Sequence, residues 1–67
     1  MAILKVIEVL AESDKSWDEA AKEAIREASE TLENIRSIYI HDFQATVENN
    51  KIIKYRINAK ISFEIRQ

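Results

Sequence analysis

The chain has 67 residues with no cysteine, no glycine and no proline, and ten Lys and Arg stand against twelve Asp and Glu for a net charge of −2. Lack of cysteine excludes disulfides and thiolate metal sites, and lack of glycine excludes phosphate-cradling loops of the mononucleotide or dinucleotide type and EF-hand loops. The mild acidity supplies no positive field for nucleic acid, and no apolar run approaches the roughly 20 residues of a membrane span.

The opening stretch, MAILKVIEVL, has no basic segment ahead of it and no small-residue cleavage site, so a cytoplasmic location is expected. Residues 2–11, AILKVIEVLA, read as a nearly all-apolar strand interrupted by Lys5 and Glu8. A polar break follows at Glu12-Ser13-Asp14-Lys15.

Ser16-Trp17-Asp18-Glu19 has the form of a capping box: Ser16 accepts from the Glu19 amide and Glu19 reaches back to the Ser16 amide. Asp18 and Glu19 also sit where the helix dipole favours negative charge. Trp17, Ala21, Ala24, Ile25, Ala28 and Leu32 fall within an arc of about 100°, which predicts a helix over 17–33 that ends near Asn34. The alanines on that arc imply close approach to a sheet.

Residues 35–47 read as a second strand whose alternation changes phase between Ile38/Ile40 and Phe43/Ala45/Val47. One extra residue near His41–Asp42 reconciles the two halves, so a β-bulge is predicted there. The turn falls at Glu48-Asn49-Asn50-Lys51, where asparagine takes the positive φ that a tight hairpin requires. The last strand alternates cleanly. Ile53, Tyr55, Ile57, Ala59, Ile61, Phe63 and Ile65 share one face, and Lys54, Arg56, Asn58, Lys60, Ser62, Glu64 and Arg66 share the other.

Strand, helix, strand, hairpin, strand makes an α+β fold of β-α-β-β order, with residues 1–67 as a single domain. With the third strand between the other two, in order 1-3-2, every neighbouring pair is antiparallel. A chain this short buries only about 60% of its unfolded surface. It commonly needs a disulfide, a metal or self-association to be stable. Without cysteine, association with copies of itself is expected.

Lys5-Val6-Ile7-Glu8-Val9, Ser16-Trp17-Asp18-Glu19-Ala20-Ala21, Asn34-Ile35-Arg36, and Tyr55-Arg56-Ile57 through Ile61-Ser62-Phe63 resemble dodecins over essentially the whole chain. The resemblance implies a sheet wrapped on one helix, a hollow homododecamer of cubic symmetry, and riboflavin or FMN rings held between subunits for storage, not turnover. Flavin-binding members stack a tryptophan of the second strand on the isoalloxazine ring, where this chain has Ser37. They place a glutamine after the tyrosine of the third strand, where this chain has Arg56. Asp42 matches an acidic residue that in some members touches the ribityl chain. Tyr39, on the same strand face as Ser37, is a substitute platform, so the resemblance assigns a flavin site to Ser37, Tyr39, Asp42 and Arg56.

A second branch of the family lacks the strand tryptophan and has the Ser-Trp pair and the Tyr-Arg-Ile run; this chain is closer to it. Some relatives in that branch have been described as calcium-binding. A flavin-free shell that binds calcium or serves a structural role is therefore the alternative. Its candidate oxygens are Glu8, Asp14, Asp18, Glu48 and Glu64 from several subunits, but no spacing singles out the six to eight ligands calcium takes.

Individual residues have plainer readings too. Trp17 suits apolar packing at the helix start, and Arg56 suits a cross-strand ion pair as well as a ligand contact. Tyr39 and Phe43 suit core or interface packing. His41 beside Asp42 could form an acid–base couple, but no nucleophile stands near it, and an interface histidine is the expected role. The chain is not expected to be an enzyme.

Overall fold

The computed structural model describes residues 2–65, so Arg66, the last residue of the polar face read above, lies outside the described residues. It contains strand β1 (Leu4–Ser13), helix α1 (Trp17–Ala28), strand β2 (Ile35–Glu48) and strand β3 (Lys51–Glu64). The strands form one antiparallel sheet in the order β1-β3-β2, as the connectivity predicts.

β1 runs two residues further than its apolar composition suggests. β3 offers a template that continues to the pairs Glu12↔Arg56 and Ser13↔Tyr55, and the polar side chains of Glu12 and Ser13 do not prevent the backbone from using it. The Ser13 hydroxyl then accepts from the Lys15 amide at 2.9 Å and turns the chain toward the helix.

Ser16 caps α1 from an extended backbone, its side chain accepting from the Glu19 amide at 3.0 Å. The structure thus shows the serine half of the capping box. α1 ends at Ala28, not 33. The Ser29 hydroxyl bonds back to the Arg26 carbonyl at 2.7 Å, and the Glu30 and Thr31 amides bond three residues back, which tightens the last turn out of α geometry. Asn34, at φ 62°, makes the left-handed step into β2.

Register irregularities in β2 fall between Ile35/Ser37, Ile40/Asp42 and Thr46/Val47. The middle one is the bulge expected near His41–Asp42. It keeps Ile38 and Ile40 opposite Ile61 and Ala59 while Phe43 and Ala45 face Ile57 and Tyr55, so both halves of β2 present apolar residues to α1. The hairpin turns on Asn49 (φ 51°) and Asn50 (φ 63°), a pair of left-handed residues that matches the right-handed strand twist without glycine.

The core is small. Among the described residues only Ala20, Ile57, Ala59 and Ile61 are fully buried, with Val9, Ala11, Trp17, Ala21, Ile38 and Ile40 packed around the first three. Ala20 lies about 40° outside the arc read from the sequence, so the helix is rolled toward it. Leu4, Val6, Leu10, Tyr39, Phe43, Val47 and Ile52 are exposed.

The molecule is a thin plate of 51 × 20 × 13 Å with a radius of gyration of 13.7 Å, against about 11 Å for a compact chain of this length. It exposes 5196 Å², roughly 800 Å² more than a compact monomer of its mass.

Candidate functional site

α1 covers one face of the sheet and leaves the other bare. Period-2 alternation and the register place Glu8, Leu10 and Glu12 of β1, Arg56, Asn58, Lys60 and Ser62 of β3, and Ser37, Tyr39, Asp42 and Gln44 of β2 on that bare face. All four residues assigned by resemblance therefore share it, but they fall into two groups.

The first group is centred on β2. The Ser37 and Ser62 hydroxyls hydrogen-bond to each other across the pair. Tyr39 is 63% exposed and stacks on His41, with ring centroids 6.0 Å apart and planes 28° from parallel. The bulge brings His41 onto this side. Its Nε2 lies 2.9 Å from Glu8 Oε2 and its Nδ1 lies 3.5 Å from Asp42 Oδ2. The imidazole thus spans β3 and ties the two edge strands together, which sequence reading missed.

The second group is centred on β3 and β1. Arg56 donates from Nε at 2.9 Å and from Nη2 at 2.7 Å to one oxygen of Glu12, its register partner. Lys54 Nζ lies 4.0 Å from the other. The Arg56 hydrogen bond and the two positive charges hold the Glu12 carboxyl below the usual glutamate range, against a smaller desolvation effect. The cross-strand ion-pair reading of Arg56 is what the structure shows within one chain.

Tyr39 stands opposite Lys60, four residues from Arg56, or about 14 Å along the strand. One chain does not bring Tyr39 and Arg56 onto a single ring. Between the groups, Asn58 Oδ1 is buried with no hydrogen-bond partner. Such an atom costs about 1–3 kcal/mol unless a donor reaches it.

Trp17 is on the helix side. Its Nε1 donates to the Gln44 carbonyl at 2.8 Å, and its ring meets Tyr55 and Phe43 edge-on at 4.9 and 5.9 Å. This is the packing role read from its position. Among the described residues, no cluster of three or more His, Asp or Glu side chains is close enough to hold a metal ion. Nor is any helix long and apolar enough to cross a membrane.

Comparison with known proteins fits this architecture. Residues 3–66 match the family model described as dodecin, a family of non-enzymatic ligand-binding proteins that form homo-oligomers. The chain is 33% identical over 66 residues to the calcium dodecin of Mycobacterium tuberculosis, covering 98% of this chain and 93% of the relative. The crystal structure of that calcium dodecin superposes with a TM-score of 0.82 over 96% of this chain and 91% of that one. The dodecin from Streptomyces davaonensis, at 20% identity, reaches a TM-score of 0.92 over 98% of this chain and 97% of that chain and supports the fold alone. With the family model and a relative of that identity both spanning nearly its whole length, the chain belongs to the dodecin family.

Proposed function

We propose that this chain is a cytoplasmic, self-assembling storage protein, a homododecamer by family resemblance, whose bare sheet face holds a flat-ringed ligand between copies: a flavin, as riboflavin or FMN. The observation that carries this reading is the exposed Tyr39 ring stacked on His41, a broad aromatic surface on a face that α1 does not cover. A flat ring laid on it gains about 0.5–1.5 kcal/mol beyond area burial. The 14 Å gap to Arg56 means that the guanidinium reaching the ligand belongs to a neighbouring copy.

FMN titrated into the assembled protein is expected to lose fluorescence in the micromolar range. Tyr39→Ala is expected to weaken that response by a few-fold to tenfold. Absence of quenching at high micromolar FMN, with the assembly intact by light scattering, removes the flavin reading.

The 33% identical calcium dodecin favours a second reading, in which copies pool carboxylates around calcium and no flavin binds. Glu8 and Asp42 flank His41 on the bare face, and calcium needs six to eight oxygens, so several chains would contribute. Here calcium, and not magnesium, raises the melting temperature, and the purified protein is colourless. A melting temperature unmoved by millimolar calcium removes this reading.

A further inference from the structure

We infer that the β2–β3 hairpin tip of one copy seats in the groove between β1 and α1 of the next, so that each chain uses its tip and its groove in two different contacts. This rests on the reading that copies assemble and specifies how they meet.

The groove is a cavity of about 470 Å³ open at the free edge of β1. Ile7, Val9 and Ala11 line it from the strand, with Ala24, Ala28 and Leu32 from the helix side. The small alanines that let α1 lie close to the sheet leave the hollow unfilled. Glu12, Glu23 and Glu27 stand on its rim; Glu12 is paired with Arg56 and Lys54, and Glu23 with Arg26, so that among the described residues Glu27 is the rim carboxylate outside any ion pair.

The tip has the matching character. β1 ends its pairing at Ser13↔Tyr55, while β3 continues to Lys51 and β2 to Glu48, so the end of the hairpin has no third strand beside it. It carries Val47 and Ile52 exposed at 59% and 49%. Lys51 and Lys54 flank Ile52. Among the described residues Lys51 makes no ion pair, and neither does Glu27 on the groove rim. The Lys51 ammonium beside exposed Val47 and Ile52, and the Glu27 carboxylate beside an apolar hollow, are thus a matched pair on the same chain.

The chain cannot fill its own groove. Ile52 lies five to nine positions along β3 from Ile57 and Ile61, which flank the groove strand, or about 17–30 Å. A second copy has no such restriction. The surplus surface of roughly 800 Å² equals one partner's share of a standard interface. A tip meeting a groove elsewhere on the chain is a heterologous contact, which propagates head to tail and closes into a ring when the rotation permits.

The test uses a chain otherwise free of cysteine. The double variant Lys51→Cys/Glu27→Cys, treated with a short bismaleimide, is expected to give a ladder of covalent multimers on a denaturing gel. A mixture of the two single variants is expected to stop at dimers. In parallel, Lys51→Glu is expected to raise the concentration for half-dissociation about tenfold, and adding Glu27→Lys is expected to restore it, a rescue that a merely weakened hairpin would not show. An assembly of unchanged mass without ladder or rescue overturns tip-in-groove docking and leaves self-assembly standing. A folded single chain near 8 kDa overturns both.

Discussion

Ser37→Trp should convert the bare face into a much stronger flavin platform. Ser37 is exposed on the same strand face as Tyr39, and its hydroxyl pairs with that of Ser62. The serine is small and exposed, so an indole placed there projects from the bare face. Stacking a planar heterocycle on an aromatic side chain contributes about 1–3 kcal/mol. That corresponds to roughly 5- to 160-fold tighter binding. Losing the Ser37–Ser62 bond costs about 0.5–1.5 kcal/mol of fold stability, which shifts the unfolding midpoint but not the affinity of molecules that remain assembled. The assay is quenching of FMN fluorescence against chain concentration, with light scattering on the same samples. If assembled Ser37→Trp protein binds FMN no more tightly than the parent, the bare face is not where the ring lies, and the site drawn from Tyr39 falls with it.

Three further outcomes follow from the core and the ion pairs. Ile61→Ala empties one of the two large side chains that are fully buried among the described residues, and is expected to cost about 2–5 kcal/mol; urea unfolding at fixed chain concentration showing less than 1 kcal/mol would mean that the sheet collapses into the void. Trp17→Phe keeps an aromatic ring against Tyr55 and Phe43 but deletes the 2.8 Å bond to the Gln44 carbonyl. About 1 kcal/mol of destabilisation is expected from the same measurement, and no change would show that water replaces the indole without cost. Glu12 has its folded-state pKa depressed, so its pairing with Arg56 stabilises the fold above the usual glutamate value of 4.5 and loses that contribution as pH falls through the lower folded value. The stability gap between parent and Glu12→Gln should be constant above about pH 6 and close as the pH drops below 4.5; a gap independent of pH across that window contradicts the assignment.

Local rules made much of this legible in the sequence. Period-2 alternation in β3, the Ser16 cap, the phase change at His41–Asp42 and the Asn49-Asn50 turn depend on residues within a few positions of each other, and each appears where the pattern puts it. The helix end is not legible because Leu32 continues the apolar stripe, while the Ser29 hydroxyl competes for a helix carbonyl. The end of β1 is not legible because a template strand overrides local polarity. The site divides in the same way. That Ser37, Tyr39, Asp42 and Arg56 share a face follows from alternation. Their separation into two groups needs the register, and the His41–Glu8 bond joins residues 33 positions apart through a bulge whose side-chain outcome no pattern encodes.

The small core and the uncovered face have a common origin. A chain of 67 residues requires about 3–10 kcal/mol of net stability, yet the fully buried side chains among the described residues are two isoleucines and two alanines, and an isoleucine fully buried gives about 1.5–3 kcal/mol. One 12-residue helix cannot cover a sheet whose longer strands have 14 residues, so one face and the hairpin end are left uncovered within one chain. On the proposed reading, a ligand held between copies binds only the associated, folded state and stabilises both equilibria together. Saturating FMN should therefore lower the chain concentration at which the assembly half-dissociates, read by light scattering at fixed temperature. An unchanged midpoint would place the ligand within one chain and break the link between assembly and binding.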